Sequence, residues 1–216
     1  MHIGIDMTDR PDNGEPVHAF YSEAFTCSYK KLFRPLSLAL IRMGVTPNAV
    51  TVFSFLLAVA TGALIAYDYL WTAIVFGLAM GFSDTIDGQI AKESGNITKF
   101  GGVLDSVVDR YNEFVVFLGF AVRYYFHQRY PWIVLCALAF LGSIMTSYIK
   151  SRAESEGFDC KVGRLQRPER LTIIGFGTLF RSVGVDIMIV FLAVATQATS
   201  LYRLFHVYRQ SRAKQL

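Results

Sequence analysis

The sequence predicts an all-α, polytopic membrane protein, with six transmembrane helices preceded by an amphipathic helix that lies along the membrane interface. Three observations carry this expectation. Hydrophobic residues make up 53% of the 216-residue chain and its mean hydropathy is positive, a composition suited to a membrane protein with the length of one domain. Six nearly uncharged apolar runs, 50–66, 71–82, 113–125, 131–148, 171–180 and 187–201, can each cross the hydrocarbon core alone or with flanking turns. Basic residues also fall in alternate loops, which is the positive-inside bias of membrane proteins.

Residues 1–20 hold Asp6, Asp9, Asp12 and Glu15 and no apolar core, so they read as a polar tail and not as a secretory signal or transit peptide. Over 21–45, Phe25, Tyr29, Leu32, Phe33, Leu36 and Leu40 recur at helical spacing beside lysines, as in an interfacial juxtamembrane helix. Thr46 can cap the next helix, and Pro47 suits its first position. Residues 46–208 hold the six spans as one domain, and 209–216 form a basic C-terminal tail. The fifth span is the shortest, and 151–170 before it is the longest polar interruption, marked by Gly157, Gly163 and Pro168. A loop of that length in so compact a chain is usually functional. Cys27, Cys136 and Cys160 lack the close spacing of a zinc site or redox pair and read as free thiols. His127 and His206 read as interfacial anchors.

The charge pattern sets an orientation. Lys30, Lys31, Arg34 and Arg42 precede the first span, Lys92 and Lys99 join the second to the third, and Lys150, Arg152, Lys161, Arg164, Arg167 and Arg170 join the fourth to the fifth. Arg203, Arg209, Arg212 and Lys214 end the chain, whereas the alternate loops hold only Arg123, Arg129 and Arg181. Both termini and the turn between the second and third spans are therefore expected in the cytosol, with the protein in the cell membrane. The net charge of +4 follows from this topology and calls for no nucleic-acid partner.

Asp84, Asp87, Asp105 and Asp109 run against the apolar pattern. A charge on a membrane helix costs roughly 2.5–3.5 kcal/mol at mid-bilayer, so carboxylates gathered there require a compensating cation. Residues three or four apart share a helix face, which makes each aspartate pair one acidic patch. The turn near Gly95-Asn96 makes the two helices antiparallel neighbours, and at about 1.5 Å per residue Asp84 and Asp105 reach similar depth. All four carboxylates are expected to meet there. Oxygen-only ligands select a hard cation such as Mg²⁺ or Mn²⁺, and this many carboxylates can hold two ions, which would clamp a phosphoryl group. Gly88 and Gly101-Gly102 leave room for a ligand or another backbone. Arg110, beside Asp109, is expected to pair with Glu113 or Asp186.

With those residues in view, the chain resembles the CDP-alcohol phosphotransferase family. Its signature, D-x-x-D-G-x-x-A-R followed after eight residues by G-x-x-x-D-x-x-x-D, is matched by Asp84, Asp87, Gly88, Ala91, Gly101, Asp105 and Asp109 at intact spacing. Lys92 departs from the family arginine, which exchanges a bidentate fork for a point charge. The resemblance implies a six-helix enzyme that transfers a phosphate-linked group from CDP-diacylglycerol to an alcohol and releases CMP. It implies metal-ligand roles for Asp84, Asp87, Asp105 and Asp109, with Asp109 also the base that deprotonates the acceptor. It further implies that Gly88, Lys92 and Thr98 line the cytidine-diphosphate site, that Thr46, Pro47, Asn48 and Ala49 touch the nucleotide, and that the protein is a homodimer.

The acceptor side is read from Lys150, Arg152, Arg167, Arg170 and Arg203. Such a cluster beside an acidic site suits an acceptor that carries its own phosphate. The runs 147–154 and 167–170, with Arg203, are similar to the phosphatidylinositol-phosphate synthase branch, which implies inositol 1-phosphate held by these basic residues. Glycerol 3-phosphate is the anionic alternative. A divalent-cation transporter would also explain intramembrane carboxylates, but it would not explain the fixed glycines or the basic loop. A catalytically dead scaffold is disfavoured because no motif carboxylate is missing.

Overall fold

Seven helices and no strand occur among the residues that the computed structural model describes, 23–160, 162–163 and 165–214. They are α1 (Glu23–Arg42), α2 (Pro47–Ala66), α3 (Leu70–Glu93), α4 (Lys99–Phe126), α5 (Tyr130–Ser155), α6 (Arg167–Leu179) and α7 (Arg181–Lys214). The expected N-terminal tail, Lys161 and Arg164 lie outside the described residues. The helix start at Thr46 forms as expected: its backbone is extended, its hydroxyl accepts the Ala49 amide at 3.3 Å, and Pro47 begins α2. Gly95, at φ +69°, makes the tight turn between α3 and α4.

Helices α3, α2, α4, α5, α7 and α6 pack in that order, and α6 returns to α3, so the six close into a ring. Small residues set two of the closest crossings. A Cβ on Gly119 of α4 would fall on the Gly62 carbonyl of α2, and a Cβ on Gly142 of α5 would fall on the Thr196 side chain of α7. Between the helices Ala58, Ala73, Phe117, Phe120, Ala139, Ile189 and Leu192 form the buried apolar core. Outside the ring, α1 lies on the end of α3. Phe33 packs against Phe82 with tilted rings whose centroids are 4.9 Å apart, Ser37 donates to Gln89 at 2.9 Å, and Arg34 pairs with Glu93 at 2.9 Å. Of the expected apolar stripe, Phe33 and Leu40 face the bundle while Leu32 and Leu36 face outward.

Wide apolar bands remain exposed, among them Val52, Phe53, Leu56 and Val59 on α2 and Ile187, Val190, Phe191 and Val194 on α7. Surfaces of that kind fit lipid and not water. Three helices, Pro47–Ala66, Tyr130–Ser155 and Arg181–Ala213, are long and apolar enough to cross a membrane. The remaining expected spans fall in α3 and α4, whose ends carry the motif acids, and in α6, which has only 13 residues. The tail expected from 209 is no separate element, because α7 continues as one helix to Lys214.

At the end of the ring remote from the aspartates, a second polar cluster ties the helices together. Buried Arg123 pairs with Asp68 at 2.6 Å and donates to Ser182 at 2.9 Å. Asp186 accepts from Tyr124 at 2.7 Å and from Arg129, whose guanidinium lies 4.2 Å from the centre of the Trp132 ring. Asp186 is thus committed far from Arg110. Cys136 and Cys160 are free, buried thiols, as expected.

Candidate active site

Helical periodicity puts Asp105 and Asp109 on one face, and helix packing decides which motif carboxylates join them. Asp105 and Asp109 stand one turn apart on the face of α4 that looks towards α3, and Asp84 projects between them from the last third of α3. Oxygens of Asp84, Asp105 and Asp109 all lie within 4.8 Å of one another. Asp87, on the next turn of α3, is buried against α2 and accepts the Thr51 hydroxyl at 2.7 Å. Three of the four expected ligands therefore form one cluster, and the fourth is turned towards a neighbouring hydroxyl. Three all-oxygen donors at this spacing fit a hard divalent cation with room for substrate oxygens.

The first turn of α6 supplies the counter-charge. Arg167, at the start of α6, reaches Asp84 Oδ1 at 2.8 Å through one guanidinium nitrogen and Asp109 Oδ1 at 2.6 Å through the other. One turn on, buried Arg170 forms a two-pronged pair with Glu113, at 2.8 and 3.2 Å, and donates to the Leu165 carbonyl. Glu113 lies four residues beyond Asp109 on the same face of α4, so the acidic ladder is longer by one step than the motif. The pairing expected between Arg110 and Glu113 or Asp186 is not formed, because both acids are taken by Arg170 and by Arg129. Arg110 instead donates to the Ser106 carbonyl in its own helix.

Two cavities adjoin the carboxylates. The first, about 310 Å³, is lined by Asp109, Arg110, Glu113, Ser147, Lys150, Ser151, Gln166, Arg167, Arg170 and Arg203. It collects four of the five basic residues expected around an acceptor phosphate. Arg152 is the exception: it lies outside the cavity lining, exposed and paired with Glu156 at 2.5 Å. Arg203 is fixed by donating to the carbonyls of Thr146 and Val162 at 2.6 and 2.8 Å. The second cavity, about 810 Å³, is apolar and runs between α3 and α6 along Leu78, Met80, Phe82, Leu171, Ile174 and Phe176 to end at Asp84 and Arg167. Of the motif aspartates, Asp109 alone lines the polar cavity and Asp84 alone the apolar one.

The residues expected to meet the nucleotide lie at helix ends near the α3–α4 turn. Thr98 caps α4 by accepting the Gly101 amide at 2.9 Å, and Asn48 at the start of α2 borders the same glycine. Ala49 and Pro47 stand beside it in the capped first turn of α2 that Thr46 begins. Gly88 has no atom within 4 Å of the place a Cβ would occupy, so helix packing is not what its bare backbone serves. Lys92 is exposed at the end of α3. Thr51, Glu113, Arg110, Ser147, Ser151 and Gln166 were not legible as site residues. Only Glu113 left a signal, its four-residue spacing from Asp109.

Comparison with known proteins now bears on this geometry. The model of the CDP-alcohol phosphatidyltransferase family matches residues 44–205. The phosphatidylinositol phosphate synthase of Mycolicibacterium smegmatis is 36% identical over 194 residues, covering 85% of this chain and 86% of that protein. The crystal structure of Mycobacterium tuberculosis phosphatidylinositol phosphate synthase with CDP-DAG bound is 32% identical, with a TM-score of 0.76 over 82% of this chain and 94% of that one. The same enzyme in complex with manganese and citrate gives a TM-score of 0.74 at 32% identity, over 81% and 88% of the two chains.

Proposed function

This chain belongs to the CDP-alcohol phosphatidyltransferase family, and from that premise we propose that it moves the phosphatidyl group of CDP-diacylglycerol onto a hydroxyl of inositol 1-phosphate and releases CMP. One observation carries the reading. A carboxylate cluster stands between an apolar cavity that suits acyl chains and a cationic cavity that suits a phosphorylated polyol.

The apolar passage between α3 and α6 would hold the lipid tails, so that the diphosphate reaches Asp84. The capped helix starts at Thr46 and Thr98, with Asn48, Ala49, bare Gly88 and Lys92, would take the cytidine side. Mg²⁺ or Mn²⁺ ions, two in the full site, would be held by Asp84, Asp105 and Asp109 with Asp87 and would supply neutralisation of the diphosphate charge. Lys150, Arg167, Arg170 and Arg203 hold the acceptor's phosphate and fix its hydroxyl. Asp109 is the carboxylate that faces this cavity, so it takes the hydroxyl proton. The freed oxygen bonds to the lipid-bearing phosphorus as the bond to CMP breaks, and positioning with charge neutralisation does most of the catalysis.

The six helices of the ring would all enter the bilayer, α3, α4 and α6 with their polar ends at one face, and the basic loops put that face in the cytosol. In this reading α1 lies at the interface and the protein is a multi-pass homodimer of the cell membrane. Purified protein supplied with CDP-diacylglycerol, Mg²⁺ or Mn²⁺ and labelled acceptors tests the reading. CMP release with a labelled lipid product is expected from inositol 1-phosphate; turnover with glycerol 3-phosphate alone would replace the acceptor, and metal uptake into liposomes without CMP release would favour transport.

A further inference from the structure

Gln166, Arg167 and Pro168 line both cavities, and of these three Arg167 carries a charge and bridges two carboxylates of the cluster between them. Three carboxylates with oxygens within 4.8 Å repel one another unless a positive charge stands among them. A guanidinium buried to about four-fifths is equally costly without anions. Each need is met by the other. The bridge therefore puts the positive charge of Arg167 at the cluster, on two of the carboxylates a divalent cation would take.

We propose that Arg167 is an exchangeable counter-ion that couples divalent-cation binding at Asp84 and Asp109 to anion binding in the polar cavity. When a cation takes those carboxylates the guanidinium becomes redundant and is repelled. The charged alternative is the polar cavity, where Lys150, Arg110, Arg170 and Arg203 outnumber Glu113 and Glu154. Moving there is unfavourable while the cavity is empty and favourable once a phosphate occupies it, so each ligand strengthens the other by the same factor. Arg167 is the first residue of α6, so no preceding turn of its own helix encloses the side chain. The consequence is that neither the carboxylates nor the cavity stays uncompensated before both substrates arrive. The inference rests on the proposed transferase reading for its purpose, although not for its test.

The test measures Mn²⁺ affinity of the full-length purified protein, by calorimetry and by loss of the free-ion electron-spin signal, with and without inorganic phosphate and with no CDP-diacylglycerol. In the native protein phosphate should tighten Mn²⁺ binding by at least about 5-fold, the lower end of ordinary allosteric coupling. Arg167→Gln should bind Mn²⁺ more tightly than the native protein when phosphate is absent and should lose the phosphate enhancement. Arg167→Lys, which keeps the charge but loses the planar fork that gives each carboxylate its own nitrogen, should tighten Mn²⁺ binding less than Arg167→Gln does. Lys150→Gln, which removes a cavity charge that touches neither aspartate, should shift phosphate-free Mn²⁺ affinity by less than about 2-fold. Unchanged or weaker Mn²⁺ binding in folded Arg167→Gln, or an equal gain in Lys150→Gln, overturns the proposal. Coupling without transferase turnover would instead overturn the functional reading alone.

Discussion

At the scale of single residues, the four motif aspartates are not equivalent. Asp109 faces the polar cavity, Asp84 the apolar one, Asp105 stands with them in the cluster, and Asp87 is engaged by Thr51. If Asp109 removes the acceptor proton, Asp109→Asn keeps the shape and removes the basic oxygen. Turnover should fall by about 10²-fold or more, while CDP-diacylglycerol affinity changes little; retained turnover in a folded variant would assign the proton to another group. Glu113 shows why a motif is shorter than a site. Its carboxylate neutralises buried Arg170, and without it that guanidinium would stand beside Arg110, Arg167 and Arg203 without its two-pronged acid partner.

At the scale of elements, the α5–α6 connection and the end of α7 act as one unit. The Gln210 side chain grips Asp159 twice, accepting from its amide at 3.2 Å and donating to its carbonyl at 2.7 Å, and it also meets His206 at 2.7 Å. His206 is therefore more than an anchor. One turn before His206 on α7, Arg203 holds Val162 of the same connection and lines the polar cavity. The continuation of α7 beyond 209 thus keeps the loop seated. Gln210→Ala should raise KM for the anionic acceptor by about 5-fold or more, the coupling of two remote but linked contacts, with KM for CDP-diacylglycerol and kcat nearly unchanged; Gln210→Glu, which keeps one of the two contacts, should recover part of the loss. Equal rises in both KM values would reduce the contact to a stabilising one.

At the scale of the whole molecule, ring closure brings α6 against α3 and so creates the apolar passage. Glycines on its wall, Gly81 and Gly175, have no atom within 4 Å of a Cβ position, so side chains added there enter the passage and not a packed interface. Gly81→Leu should leave thermal stability within about 1 kcal/mol of the native value, since no close-packed neighbour is displaced. It should raise KM for CDP-diacylglycerol while leaving acceptor KM alone. A variant that unfolds, or one with an unaltered donor KM, would remove this passage from the donor's route. Locks at the two ends of the ring work by the same physics, Arg123 with Asp68 at one and Arg170 with Glu113 at the other: each buried guanidinium is held in place by its opposite charge.

By itself the sequence determined the helical class, the apolar runs, the Thr46 helix start and the family, because periodicity, hydropathy and fixed motif spacing are properties of neighbours along the chain. It also put Asp105 and Asp109 on one face, since helix geometry requires no more than their spacing. Tertiary structure alone decided that Asp87 turns to Thr51, that Arg170 and not Arg110 pairs with Glu113, that Arg152 stands outside the cavity, and that Arg167 joins both cavities. Those contacts link residues 36 to 83 positions apart. Which of several like charges meets which acid depends on how the ring closes, and no local pattern encodes that choice.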